Sequence, residues 1–216
     1  MRYGCVILMF VLANVACGGV VSISEWHYIR GWAGGWGNAG QSYERSASFP
    51  ISDSATALGW NDVPVTASSS AGNWMVSASV TGSIFSGVAT AESTYVFTTE
   101  CPVLSLKITG AACMYSWDGT VVRYRLTDRT LDETIFSYSS STSHEYDCIT
   151  VSESYRVNVQ PGHEYELFLS AVASQGDDST PHSWLAVRVP APGALVLSSL
   201  GVAAVCWRRH GWARRA

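Results

Sequence analysis

The sequence predicts an all-β protein, an antiparallel β-sandwich of jelly-roll type with a targeting segment at each end. Three observations lead to this fold class. Charged residues make up only 14% of the 216 residues, while aromatic residues make up 12%. Branched, aromatic and small polar residues together suit a half-buried pleated surface. Short apolar and polar alternations recur through the middle of the chain, where no amphipathic helical period of useful length is found.

One domain of ordinary size fits between the two ends, and we place it at residues 22–188. Alternating runs of about five to eight residues predict its strands, with one face in the core and the other in solvent. The runs are 74–80, 93–98, 103–108, 121–126, 134–138, 154–159, 164–169 and 184–189. The stretch 26–73 has no clear strand pattern. Its glycine-rich part, 31–40, is expected to form a loop or an irregular edge.

The N-terminal segment 1–21 has the features of a secretory signal peptide. A basic residue, Arg2, precedes an apolar stretch over 5–13, and small residues surround Cys17. This stretch is too short for a permanent membrane span, and cleavage is expected between Ala16 and Ser22. A lipoprotein signal ending at Cys17 stays open as an alternative, although Asn14 stands where that motif has an aliphatic residue.

The C-terminal segment 189–216 combines a proline box, an apolar run and a basic end. The box is Val189, Pro190, Ala191, Pro192 and Gly193, and the basic cluster is Arg208, Arg209, Arg214 and Arg215. Two prolines impose an extended, accessible linker. The apolar run 194–207 would span roughly 21 Å as a helix, short of the roughly 30 Å hydrocarbon core. The arginines should stay cytoplasmic, which leaves the domain outside the membrane.

This C-terminal segment resembles the PEP-CTERM sorting signal of exported Gram-negative proteins. Val189, Pro190 and Pro192 match the Val-Pro-Glu-Pro box, the apolar run matches the short transmembrane stretch, and the arginines match the basic end, whereas Ala191 replaces the usual Glu. The resemblance implies an exosortase-type processing enzyme as a partner, transient anchoring in the inner membrane, and a final location at the cell surface or outside the cell. A plain single-pass anchor without sorting is the alternative.

Three of the six cysteines, Cys101, Cys113 and Cys148, lie inside the predicted domain. An exported domain is expected to hold one disulfide, but the sequence does not choose among the three pairings. Cys101 and Cys148 both lie near predicted strand ends, which gives this pair a slight preference. A zinc site is disfavoured because no two of these cysteines have a metal-binding spacing.

Charge is distributed unevenly along the chain. Removing Arg2 and the four C-terminal arginines leaves eight basic residues against seventeen acidic ones, so the domain carries a net charge of about −9. A domain of this charge repels phosphate backbones, and nucleic-acid binding is therefore not expected.

The sequence offers no catalytic motif, and we expect no catalytic residues, no metal and no cofactor. His27, His144, His163 and His182 are expected at the surface or in turns, because none has a metal-binding spacing. Asp177 and Asp178 suggest calcium only weakly, since the EF-hand spacing is absent. With seventeen acidic residues, a facing carboxylate pair for glycosidase chemistry is not excluded.

Tryptophan is abundant, with nine residues in the chain. Exposed aromatic faces stack on sugar rings, so free indoles are candidate glycan-binding groups. Trp74 and Trp184 lie in alternating runs and are expected in the core. Trp32 and Trp36, on the glycine-rich segment, and Trp117, beside Asp118-Gly119, are expected to be free to contact a ligand.

The sequence therefore predicts a non-enzymatic envelope or extracellular-matrix protein sorted through its C-terminal segment. The alternative is a carbohydrate-binding module that contacts exopolysaccharide, and a hydrolase ranks third. Exopolysaccharide is the expected ligand by analogy, because the exosortase systems that this C-terminal segment resembles accompany exopolysaccharide production.

Overall fold

The computed structural model describes residues 20–34, 40–58, 63–82, 87–113, 119–142, 147–175 and 180–189. Within these ranges the chain forms twelve strands, all paired antiparallel. They are β1 Val20–Ala33, β2 Gln41–Ala47, β3 Ile51–Leu58, β4 Pro64–Gly72, β5 Met75–Thr81, β6 Gly87–Thr99, β7 Val103–Cys113, β8 Thr120–Asp128, β9 Glu133–Thr142, β10 Cys148–Asn158, β11 Glu164–Gln175 and β12 His182–Arg188. The described residues contain no helix long and apolar enough to cross a membrane.

The strands make two six-stranded sheets packed face to face. Sheet A has the order β2-β1-β6-β11-β8-β9, and sheet B has the order β10-β7-β12-β5-β4-β3. The last strand, β12, lies inside sheet B, where it pairs with β5 on one side and β7 on the other. This arrangement confirms the predicted antiparallel sandwich.

The core lies between the sheets and follows from the alternation of each strand. Leu167 and Leu169 of β11 and Leu185 of β12 have no exposed surface. Trp74 also packs against this core, as predicted, with its ring stacked on Tyr95 at a centroid distance of 4.2 Å. The backbone N–H of Trp74 donates to Tyr95 Oη at 2.8 Å, which holds the short β4–β5 turn on the core.

All eight predicted runs overlap strands β5 to β12, whereas the sequence predicts no strand within 26–73. That stretch contains most of β1 and all of β2, β3 and β4. Gly31, Trp32 and Ala33 continue β1 instead of forming a loop. Gly31 is required there because a Cβ atom at this position would overlap the ring of Tyr43 on the neighbouring strand.

The disulfide joins Cys113 to Cys148, so the preferred pairing of Cys101 with Cys148 is wrong. Cys113 ends β7 and Cys148 begins β10, and the register of these two strands places them directly opposite each other with Cα atoms 4.1 Å apart. Cys101 lies buried between β6 and β7. Proximity to strand ends did not reveal which ends meet.

Apart from Val20, Val21 and Val189, both targeting segments lie outside the described residues. The signal peptide, lipidation at Cys17, the proline box beyond Val189, the apolar run and the basic cluster therefore stay predictions. Trp36, Trp117, His144, Asp177 and Asp178 also fall outside the described ranges.

Candidate functional site

Hydroxyl side chains cover much of the outer face of sheet B. The strand register aligns them in rows that cross β3, β4 and β5 and then reach β12. One row contains Ser52, Ser70, Ser77 and Trp184, and the next contains Ser54, Ser68, Ser79 and His182. Because successive side chains of a strand alternate between faces, all of these groups point away from the core.

Neighbouring hydroxyls in these rows are hydrogen-bonded to each other. The Oγ atoms of Ser70 and Ser77 are 2.8 Å apart, and those of Ser68 and Ser79 are also 2.8 Å apart. Each such bond uses one of the pair's two hydroxyl protons. Every pair therefore keeps one O–H donor and several acceptor lone pairs for a ligand.

Trp184 forms one wall of an open groove on this face, with a volume of about 550 Å³. The indole is half-buried and lies beside the hydroxyl of Ser77 on β5, its cross-strand partner. Met75, which is 43% exposed, contributes a second apolar surface. The groove thus places apolar side chains next to a set of fixed hydroxyl donors and acceptors.

The expected burial of Trp184 in the core is wrong. Leu185 and Val187 fill the inner face of β12, and Trp184 shares the outer face with Ala186 and Arg188. The sequence did contain the necessary sign: Arg188 lies four residues after Trp184, and the period of two puts both side chains on the same face. An arginine on that face marks it as solvent-facing.

Trp32, a candidate glycan-binding residue, lies on the outer face of sheet A and is 41% exposed. Its indole packs over Gly34 and Gly40, where an added Cβ would overlap the ring. Trp26 lies on the same face of β1, six residues earlier and roughly 20 Å away, and is 53% exposed. The structure therefore gives Trp32 an exposed ring, but places it on the opposite side of the sandwich from Trp184.

His27 is fully buried between the sheets, so its expected surface position is wrong. Its Nδ1 lies 3.0 Å from Ser93 Oγ, and its Nε2 lies 3.6 Å from Glu25 Oε2. Burial lowers the pKa of His27, and the Glu25 carboxylate offsets part of that effect. His27 has no exposed surface and Ser93 is only 1% exposed, so a substrate has no access to the imidazole.

His163 lies in a turn, as expected, and its contacts stabilise that turn. Its Nδ1 is 2.8 Å from Asp128 Oδ2, while Asp128 Oδ1 accepts backbone hydrogen bonds from Thr130 and Leu131. Burial would raise the pKa of Asp128, but the hydrogen bonds from His163 and the two amides outweigh burial and lower it. Nowhere in the described ranges do three metal-ligating side chains form a cluster.

Comparison with known proteins yields structural likeness only. No protein-family model and no curated protein matches the sequence. TmCBM61, solved with β-1,4-galactotriose, has 9% identity and a TM-score of 0.30 over 60% of this chain and 90% of its own. A family 11 carbohydrate-binding module from Clostridium thermocellum, solved with a β-1,3-1,4-mixed-linked tetrasaccharide, has 7% identity and a TM-score of 0.27 over 81% and 96%.

The enzymatically active domain of tailspike protein 4 from bacteriophage CBA120 is also similar, with 13% identity and a TM-score of 0.27. The alignment covers 66% of this chain but only 19% of the tailspike chain. These TM-scores are low, so the sandwich assignment rests on the strand pairing described above. What the three proteins bind or catalyse is not transferred to this chain.

Proposed function

We propose that this chain is a non-enzymatic exported protein of the cell envelope or extracellular matrix whose sandwich binds a polysaccharide through the outer face of sheet B. The observation that carries this proposal is the position of Trp184 within rows of surface hydroxyls. Sugar rings have apolar C–H faces and hydroxyl edges. Such a ring can stack on an indole while its hydroxyls bond to the adjacent serines.

The shape of the groove suits a polymer better than an enclosed small ligand. Its volume of about 550 Å³ lies within the range of roughly 300–1,000 Å³ that is typical of ligand sites. The groove is open along the sheet and crosses four strands, so a bound chain can continue beyond it. Hydrogen-bonded serines hold their positions before a ligand arrives, which reduces the entropy that binding costs.

The groove also has few groups suited to glycoside hydrolysis, which normally requires two carboxyl groups on opposite sides of the scissile bond. Among the described residues that line it, Asp53 is the only carboxylate, and it forms an ion pair with Arg45. This supports a binding role over a hydrolytic one.

Export and sorting complete the proposal, with an exosortase-type enzyme as the processing partner and the inner membrane as a transient site. They are supported by the segments 1–21 and 189–216 of the sequence. Expression of the full chain in an exosortase-bearing host, followed by intact-mass measurement of each cell fraction, tests them. Loss of both terminal segments is expected, whereas a product that keeps Arg214 and Arg215 in the inner membrane would indicate a plain anchor.

Binding is tested with the full-length protein on an array of neutral and charged polysaccharides. We expect Trp184→Ala to weaken binding by about 5- to 30-fold, because loss of ring stacking removes on the order of 1–2 kcal/mol. Trp184→Phe should retain part of the affinity. The matched control is Trp32→Ala, which removes an exposed indole from sheet A and should leave affinity unchanged.

The two surfaces are separated by the outcome of this comparison. Loss of binding in Trp32→Ala with full binding in Trp184→Ala would place the site on sheet A and refute the groove. Release of shorter glycans by the unmodified protein would show that the chain is a hydrolase. Thermal unfolding of each variant shows whether a lost affinity reflects a damaged fold.

A further inference from the structure

Three basic side chains lie together on the same outer face of sheet B, beyond the end of the serine rows. Lys107 of β7 and Arg188 of β12 are direct cross-strand partners. Arg156 of β10 is paired with Ser105, so it is the diagonal neighbour of Lys107, with their Cα atoms about 7–8 Å apart. All three line a depression of about 470 Å³.

No carboxylate compensates these charges within the described residues. The ion pairs found there involve other basic side chains, and none includes Lys107, Arg156 or Arg188. None of the outward positions of the six strands of sheet B holds Asp or Glu in the described ranges. Glu153, the acidic residue of β10, is paired with the buried Ile108 and therefore lies on the face of β10 opposite to Arg156.

This arrangement is unfavourable for the isolated protein. Like charges placed directly opposite each other on neighbouring strands are destabilising, as for Lys107 and Arg188. The domain as a whole is acidic, with eight basic and seventeen acidic residues, and yet three of the eight basic residues line one depression. A bound anion would relieve the repulsion.

The depression and the Trp184 groove belong to one surface. Trp184 and Arg188 are four residues apart on β12, roughly 13 Å, and both point outward. Between them lies Ala186, whose small side chain leaves the path open, with Thr109 as its partner on β7. A polymer stacked on Trp184 can therefore extend over the three basic side chains.

We infer that the polysaccharide recognised by this face is anionic and carries carboxylate groups, as uronic acid residues do. The inference rests on the proposed function and specifies its ligand class. Arg156 and Arg188 offer planar guanidinium groups that match a carboxylate in two-point contact, and Lys107 adds a point charge between them. The indole and the serines contact the neutral part of the polymer, and the basic side chains contact its acid groups.

The test measures binding of the full-length protein to polygalacturonate and to the same polymer after methyl esterification. We expect the acidic form to bind about tenfold more tightly, since each of three exposed charge contacts strengthens binding by a factor of about two. The preference should shrink as salt is raised. It should vanish in the triple variant Lys107→Gln, Arg156→Gln, Arg188→Gln.

The matched control is Arg30→Gln, Arg123→Gln, Arg125→Gln, which removes the same charge from the outer face of sheet A and should keep the preference. Equal, Trp184-dependent binding of both polymers would overturn the anionic ligand and leave glycan binding intact. A preference for the acidic polymer that survives in the triple variant would also overturn the anionic ligand.

Binding to vesicles that contain anionic lipid tests the other possible ligand of the patch. If the triple variant lost binding to these vesicles, with polygalacturonate binding unchanged, the patch would be a membrane contact. Absence of binding to any glycan would remove both proposals.

Discussion

The outer faces of the two sheets have the same strand geometry but opposite chemistry. On sheet A, acidic and basic side chains are mixed and form ion pairs. Arg125 Nη2 lies 3.6 Å from Glu166 Oε1. Arg129 lies 3.9 Å from two carboxylates, through Nη1 to Glu164 Oε2 and through Nε to Glu166 Oε2. On sheet B, the described outward positions carry hydroxyls, one indole and three basic groups without acidic partners. Ion-paired side chains satisfy each other's charge within the sheet, whereas uncompensated side chains of one sign attract a ligand of opposite charge.

Removal of the disulfide should have the largest effect on stability, and only sheet B has a described disulfide. Cys113→Ser with Cys148→Ser opens a link between residues 35 apart, for which loop-closure entropy predicts a loss of roughly 3–4 kcal/mol in the free energy of unfolding. Urea unfolding of the oxidised protein and the variant measures this loss. Cys101→Ala is the control, because it keeps the bridge. An equal loss in that control would contradict the assignment.

Acid should destabilise the protein through the interior of sheet A. His27 has a lowered pKa in the folded protein, so below about pH 6.5 the unfolded chain binds a proton that the folded chain does not. Stability should therefore fall as the pH falls through this window, by up to about 1.4 kcal/mol per pH unit, until the folded-state pKa is reached.

Unfolding measured between pH 7.5 and 5 in the unmodified protein and in His27→Gln separates this contribution, because the variant should have a flatter slope. Glu25→Gln should extend the loss of stability to lower pH, since it removes the carboxylate that partly restores the pKa of His27 against the effect of burial. Asp128 has a lowered pKa, so it stabilises the fold at neutral pH and loses that contribution only near and below about pH 4, outside this pH range. An identical slope in His27→Gln would refute the role of His27.

The smallest effects should come from single surface charges, and their signs should differ between the sheets. Arg125→Gln breaks an exposed ion pair with Glu166 and should cost about 0.5 kcal/mol or less, and less still at high salt. Lys107→Gln removes a like-charge contact with Arg188 and should leave stability unchanged or slightly higher. Thermal unfolding at low and high salt compares the two. A clear loss in Lys107→Gln would mean that the patch is not repulsive.

The sequence predicted β5 to β12 because their alternation contrasts apolar with polar residues. In β3 and β4 the buried positions are mostly Ala, as in Ala55, Ala57 and Ala67, and the outward ones are Ser or Thr, so the contrast is small. In β1 the pattern is reversed: Trp26 and Trp32 face solvent while His27 is in the core. These strands form because they hydrogen-bond to partner strands and pack against the opposite sheet. Such contacts between distant residues cannot be identified from the local sequence.

The candidate site was harder to predict than the fold. Successive side chains of β12 point to opposite faces of the sheet, so an error of one residue would move Trp184 from the outer face to the core. The position of Arg188, four residues later on the same face, shows that Trp184 faces solvent. The serine rows and the basic depression depend on register between strands distant in sequence, such as β7 and β12. Pairing of Cys113 with Cys148 has the same origin. The sequence identified the types of residue that form the site, but it did not show which of them are brought into contact by strand pairing.

The central place of β12 has a consequence for biosynthesis. Its seven residues are the last described strand, yet both of its edges are hydrogen-bonded, to β5 and to β7. Until they emerge, β5 and β7 have unpaired edges that are open to other chains. Sheet B therefore stays open until β12 has been synthesised, and a chain stalled before β12 exposes the edges of β5 and β7 that this strand would have paired.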